Sequence, residues 1–216
     1  MTGLLTLNSC EKESDPMTPV KDMTIAQYAS TEENFSILVQ ALSKANLVSA
    51  LNGEGNFTVF APTNDAFNQL FSQLGVTGIA DLSAETLTPI LLYHVLGEEK
   101  KSTMLSEGYY STLSPAQGSF SSMRISLNSG VKINKETTVL AADVDVKNGV
   151  IHAIDKVLLP PTVVGQAISN DSFSILVQAV VKAGLAETLS GNGPFTIFAP
   201  TNAAFEALFS QLGISG

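Results

Sequence analysis

The chain has 216 residues, 44% of them hydrophobic and 14% charged, and its 20 Asp and Glu against 11 Lys and Arg give a net charge of −9. This apolar content is typical of a globular protein and excludes an intrinsically disordered one. The negative charge would repel a phosphate backbone or an anionic lipid surface, so we exclude nucleic acid as a partner.

The first residues contain a candidate lipidation site. In "LLTLNSCEKESD", a short apolar run and small residues precede Cys10, the only cysteine, and charged residues follow it. The segment resembles the end of a bacterial lipoprotein signal, although the nine residues before Cys10 include no basic one, so the start of such a signal would be missing. The alternative is a frayed tail with an incidental thiol. No later stretch has the roughly 18 apolar residues of a membrane span, so we expect membrane attachment only through lipid on Cys10.

The rest of the chain contains one sequence unit twice. "FTVFAPTNDAF" starts at Phe57 and "FTIFAPTNAAF" starts 138 residues later at Phe195, and residues 34–78 and 172–216 share 29 of 45 positions without a gap. We therefore predict a signal remnant and tether over residues 1–23, a complete domain over 24–160, and a linker with the N-terminal part of a second, truncated domain over 161–216.

In chain order, the complete unit is predicted to begin with helices and end with strands. The residues Phe35, Leu38, Val39 and Leu42 form one face of a first helix. "FTVFA" is a buried strand that Pro62 stops, Thr63 or Asn64 then caps a helix, and Ser83 caps another helix over "LSAETLTPILLYHVL". From Ser102 onward the pattern alternates, and "MRISLNSGVKIN", "TTVLAADVDV" and "GVIHAIDKVLL" are predicted strands, separated by Gly and Asn turns such as "NSG" and "KNG". The fold class is therefore α+β.

The early strand is far from its partners in sequence. "FTVFA" can satisfy its backbone groups only by pairing with strands that arrive some eighty residues later. We expect the second copy, without such strands, to compete for the sheet of the first, and the first copy to keep it.

Three motifs resemble those of the fasciclin-like domain family. They are "FTVFAPTNDAF", the segment "LLYHVL" and "NGVIHAIDKVLLP", in the family's order. The resemblance covers the first copy from Thr24 to Pro160 and the second from Val164 to Gly216. It implies a β-sandwich or wedge with flanking helices packed around it, often found in tandem on cell-surface proteins, and adhesion more than catalysis.

The resemblance also identifies interaction candidates. Tyr93 and His94 match a segment implicated in integrin binding in animal relatives, but packing is the favoured interpretation for both. Asp143 and Val144 match an Asp–Ile pair that the family uses in adhesion, with Val in place of Ile; the alternative is a solvent-facing carboxylate on an alternating strand.

The sequence contains no catalytic or metal-binding motif of the usual kinds, so we expect no enzyme activity, no metal and no cofactor. The leading hypothesis is a noncatalytic, lipid-anchored cell-envelope or surface protein that contacts a protein or polysaccharide of the cell surface or matrix; a secreted or periplasmic location is the alternative. The second hypothesis is a carrier of an apolar small molecule such as a carotenoid, because some relatives bind one.

Overall fold

The computed structural model describes residues 19–116, 119–168, 170–191 and 195–214, so Cys10 lies outside the described residues. The helices in this part are α1 (Ile25–Thr31), α2 (Ser36–Lys44), α3 (Val48–Asn52), α4 (Asn64–Leu74), α5 (Ala84–Tyr93), α6 (Val163–Ile168), α7 (Ser174–Lys182), α8 (Ala186–Ser190) and α9 (Asn202–Leu212). The strands are β1 (Phe57–Pro62), β2 (Val95–Leu96), β3 (Gly108–Ala116), β4 (Ser119–Ser126), β5 (Lys132–Ile133), β6 (Thr137–Val146) and β7 (Gly149–Ile154). The fold is α+β, as predicted.

Hydroxyl side chains start several of the helices. The Thr63 side chain accepts a hydrogen bond from the Ala66 amide at the start of α4, and Ser83 does the same for Thr86 in α5. The predicted cap at Ser83 is confirmed. Of the two candidates before α4, Thr63 is the cap. Asn64 joins α4 to α2 instead, since its side chain accepts a hydrogen bond from the Ile37 amide at 3.0 Å.

The seven strands form one sheet in the order β2-β1-β7-β6-β5-β4-β3. β1 lies between an antiparallel β2 and a parallel β7, with Phe57 opposite Gly149 and Pro62 opposite Ile154. The predicted pairing of "FTVFA" with a late strand is therefore confirmed, but the expectation that only late strands would pair with it is wrong, because β2 does so too.

The segment after α5 differs from the prediction. The helix was expected to continue through Leu96, but it ends at Tyr93, and Val95 and Leu96 pair with Val59 and Thr58 as β2. Val95 and Leu96 are apolar and would fit the buried face of a longer helix, so their pattern alone does not distinguish the two structures. They form a strand because the backbone groups on the second edge of β1 need hydrogen-bond partners.

Two hydrophobic clusters stabilise this domain. The larger one packs α1 to α5 against one face of β1 and β7. The smaller one fills the space between β1 and the strands β4 and β5, and it contains Phe60, Tyr93, Met123 and Ile125. The edge strands β2 and β3 contact each other, so the sheet curls around the second cluster.

The second copy repeats the helices of the first without a sheet. Asn202 bonds to the Ile175 amide at 3.0 Å, as Asn64 does to Ile37. Residues 195–200, which match β1, belong to no strand of the described chain. Phe60 is 0% exposed, whereas its equivalent Phe198 is 93% exposed. The same sequence therefore forms a buried strand only where partner strands are present.

We predict that Gly149→Ala destabilises the first domain strongly. A Cβ on Gly149 would lie 2.0 Å from the Phe57 carbonyl oxygen, and Gly149 has φ of +150°. Because that neighbour is backbone of the paired strand, we expect a loss of at least about 3 kcal/mol in the free energy of unfolding, measured by urea denaturation. Gly130→Ala is the control, since Gly130 also has positive φ (+83°) but nothing within 4 Å of its Cβ position, and should cost only about 1 kcal/mol. Equal losses would show that the close contact has no effect.

Candidate functional site

The candidate site centres on a bulge in β6. Ala141 pairs with Ala153 and Val144 with Ile151, so Ala142 and Asp143 together oppose His152. Such a bulge bends the strand and redirects its side chains. Asp143 has φ of +63°, which is strained for a residue other than glycine. The bulge thus interrupts the alternation predicted for this strand and gives Asp143 a direction that regular alternation would not.

The Asp143 carboxylate binds a loop that lies far away in sequence. It accepts hydrogen bonds from the Ser102 amide at 2.6 Å and from the Ser102 hydroxyl at 2.5 Å, at the start of a 3₁₀ turn over Ser102–Met104. Burial alone would raise the pKa of Asp143, but the bonds from Ser102, together with the charge of Lys101, hold that pKa below its usual range. Asp143 is therefore a carboxylate that joins two segments.

His152 supports the bulge from below. It is 0% exposed, its ring packs against Phe60 with centroids 5.3 Å apart, and its Nδ1 accepts a hydrogen bond from the Asp143 amide at 3.2 Å. Its Nε2 lies 2.9 Å from the Lys100 carbonyl oxygen and donates to it. Because one ring nitrogen accepts and the other donates, these partners fit the neutral imidazole.

The surface around the bulge is mixed in character. Leu140 and Met104 are both more than half exposed, next to the exposed Asp143 and the half-buried Val144. Beyond Val144, Asp145 forms ion pairs with Lys101 at 3.3 Å and with Lys21 at 3.4 Å. We call residues 140–145 with 101–104 the bulge surface.

Tyr93 lies in the interior. It is 0% exposed, and its hydroxyl donates to the Ser122 carbonyl and accepts from the Asn134 side-chain amide, both at 3.0 Å. Burial raises the pKa of Tyr93 to about 12, although the bond from Asn134 acts in the opposite direction. Each of these contacts joins α5 to the later strands.

His94 is also interior. It is 2% exposed; its Nδ1 lies 2.8 Å from the Ile90 carbonyl oxygen, and its Nε2 accepts a hydrogen bond from the Leu158 amide at 2.8 Å. Burial lowers the pKa of His94 to about 4, against a smaller opposite effect of the bond to Ile90. Tyr93 and His94 are thus buried, whereas Asp143 is exposed and Val144 is half-buried. All four remain predicted interaction residues.

A second feature is an apolar groove of about 380 Å³ between the two copies. Its walls are mainly aliphatic side chains of the second copy, with two residues of the first sheet at one side. They include Val177, Val180, Ile197 and Ala199 from the second copy and Tyr109 and Ser122 from the first. We call this cavity the inter-copy groove.

Some features of the site had no signal in the sequence. Ser102 and Lys100 contribute to it through backbone groups or a single hydroxyl, for which no residue pattern is required. Asn148 was interpreted only as part of a turn, yet its buried side chain accepts from the Ile25 amide and donates to the Leu51 and Gly53 carbonyls. Because burial cannot be read from a sequence, an asparagine in a turn gives no signal for these three bonds.

Within the described residues, no group of three or more His, Cys, Asp or Glu side chains could hold a metal ion. In the same part of the chain, no helix has the length and hydropathy to cross a membrane.

Comparisons with known proteins agree on a single family. The model of the Fasciclin domain matches residues 33–160 and 171–212. The protein sll1483 of Synechocystis sp. is 42% identical over 139 residues, which cover 64% of this chain and 74% of that protein. The transforming growth factor-beta-induced protein ig-h3 of Sus scrofa is 32% identical over 83% of this chain, and human periostin is 30% identical over 84%.

The matched region is a small part of the animal relatives, 25% of ig-h3 and 21% of periostin. Among solved structures, a FAS1 domain pair from the insect cell adhesion molecule Fasciclin I matches with a TM-score of 0.44 and 19% identity, over 86% of this chain and 62% of that one.

We predict that acid destabilises the folded domain through His94. Its folded-state pKa is about 4, below the ordinary 6.5, so its neutral form stabilises the fold fully above pH 6.5 and this contribution is lost as the pH falls toward 4. Urea denaturation at pH 7 and 4.5 should show a loss on the order of 2–3 kcal/mol from this group. His94→Gln should reduce the pH dependence of the free energy of unfolding. His152→Gln measures separately how much of that dependence comes from the second histidine. An unchanged slope in His94→Gln would contradict the assignment.

Proposed function

This chain belongs to the Fasciclin domain family, and from that membership we propose that it is a noncatalytic module of the cell envelope that binds a surface or matrix partner through the bulge surface. An attachment through lipid on Cys10, and a secreted or periplasmic form without it, are both compatible with this function.

One observation carries the proposal: Asp143 and Val144, which match the family's adhesion pair, lie on an accessible and structurally fixed bulge. The Asp143 carboxylate accepts from Ser102 and the Asp143 amide donates to His152, so little conformational entropy would be lost when a partner binds. Leu140, which is exposed and three residues earlier on the same strand, adds apolar area to the bulge surface. An apolar residue next to a fixed charge suits a protein or polysaccharide surface that offers both hydrogen-bond donors and apolar patches.

We predict that Asp143→Asn and Val144→Ala weaken adhesion. Beads coated with the 216-residue chain would be tested for binding to intact cells and extracellular matrix of the source organism, and each variant should reduce bound beads by about tenfold, which corresponds to about 1.4 kcal/mol. Glu54→Gln is the matched control for the change in charge, since Glu54 is exposed and lies in a different loop. Full adhesion by both variants, with folding verified by circular dichroism, would exclude the bulge surface.

The inter-copy groove favours a second function, the carriage of an apolar small molecule such as a carotenoid. A volume of about 380 Å³ with mostly aliphatic walls lies within the range of small-molecule sites.

For this alternative we predict a visible absorption band, at about one pigment per chain, in protein purified from its host. Val180→Asp should abolish the band because Val180 lines the groove, whereas Val181→Asp should retain it because Val181 is 60% exposed and lies outside the lining. Colourless protein from pigmented cells would count against a carotenoid carrier.

A further inference from the structure

We propose that His152 makes the bulge surface sensitive to pH: protonation of its ring transfers the Asp143 carboxylate from Ser102 to the imidazole and releases the loop at Ser102–Met104. We call the two hydrogen bonds from Ser102 to the Asp143 carboxylate the Ser102 latch. The use of this change to regulate adhesion rests on the proposed function, whereas the latch belongs to the folded domain itself.

At neutral pH, His152 satisfies all of its neighbours. Nδ1 accepts from the Asp143 amide and Nε2 donates to the Lys100 carbonyl oxygen. The ring therefore holds the bulge on one side and the loop on the other, and it has no unused polar atom. This arrangement leaves the Asp143 carboxylate free to bind Ser102.

A second proton on the ring would remove this balance. Nδ1 would become a donor and would then face another donor, the Asp143 amide, so one hydrogen bond would be replaced by a repulsive contact. A cationic group at a buried position also needs a compensating acceptor. The Asp143 Oδ1 atom lies 4.0 Å from Nδ1, closer than any other carboxylate recorded around the ring.

The other charged groups near the ring are already paired. On the loop, the Lys100 ammonium pairs with Glu98 at 3.1 Å, and Lys101 pairs with Asp145 of β6 at 3.3 Å. On β1, the neighbour of the ring is Phe60, which carries no charge. Asp143 is therefore the carboxylate that can pair with the protonated ring. Its Oδ1 atom, at 4.0 Å, needs only a small movement to reach hydrogen-bond distance from Nδ1.

The backbone at the bulge allows such a movement. Asp143 holds a left-handed conformation (φ +63°) that is strained for a residue other than glycine. The hydrogen bonds that Asp143 forms with His152 and Ser102 compensate for that strain at neutral pH. When the ring no longer accepts the Asp143 amide, the strained conformation loses one of its two supports, and the bulge can relax.

The titration properties agree with this sequence of events. Burial lowers the pKa of His152 from its ordinary 6.5, with partial opposition from the Lys100 carbonyl and Asp143. The pKa of Asp143 is held below its ordinary 3.8 despite burial, because of the bonds from Ser102. The ring therefore gains its proton only below pH 6.5, and the Asp143 carboxylate gives up its charge only below pH 3.8.

The test is a nuclear magnetic resonance titration of the 216-residue chain from pH 7.5 to 3.5 without any partner. The ring signals of His152 and the amide signal of Ser102 should change with one shared midpoint below 6.5. Protection of the Ser102 amide against hydrogen exchange, corrected for the intrinsic effect of pH, should fall by about tenfold. His94, with a pKa of about 4, serves as the internal control, and the Ser102 amide should not follow its titration.

Two variants test the transfer itself. In Asp143→Asn, the ring loses its anionic acceptor, so the midpoint of His152 should fall and the Ser102 amide should no longer follow it. In Ser102→Ala, the carboxylate is freer to turn, so the midpoint of His152 should rise. A Ser102 amide that stays constant while His152 titrates, or that changes only with Asp143 below pH 4, would overturn the latch. Neither result depends on adhesion. A failed adhesion assay would therefore count against the proposed function and not against the Ser102 latch.

Discussion

The parallel pairing of β1 with β7 is the contact on which the rest of the domain depends. β1 has helices on one face, the second apolar cluster on the other, and a strand on each edge. Its close approach to β7 requires a glycine at 149, and the preceding Asn148 fixes α1 and the end of α3 to the same place. Helices and sheet therefore form one cooperative unit, because the strand that joins them cannot be satisfied by either half alone.

The structure also shows how much a sequence can predict. The start of α4 at Thr63, the start of α5 at Ser83 and the strand at 137–146 follow from local chemistry, namely hydroxyl caps and alternation, and these were predicted. β2 was not, since a pair of apolar residues after a helix has no distinctive period and becomes a strand only because β1 needs a second neighbour. The bulge at Asp143 was also missed, because one extra residue among small side chains hardly changes the alternating pattern.

The candidate site illustrates the same limit. Asp143 and Val144 could be selected by resemblance, but the residue that orients the carboxylate, Ser102, precedes it by 41 residues and contributes a backbone amide and a hydroxyl. His152, which accepts from the Asp143 amide, is fully buried. Its two polar partners, however, are backbone groups, for which a sequence contains no side-chain signal. The residues of a site can thus be predicted from the sequence, but their geometry cannot when it depends on long-range contacts to backbone atoms.

The distance in sequence between β1 and β7 also bears on how the chain is made. Phe57 and Gly149 are 92 positions apart, so at a synthesis rate of about 5–20 residues per second the first strand waits on the order of 5–20 seconds for its partner. During that interval β1 lacks the partner strands that residues 195–200 also lack, so we expect Phe60 to be exposed, as Phe198 is in the folded chain. Nascent fasciclin domains should therefore occupy chaperones during translation, and proteins with several such domains in tandem should do so once for each.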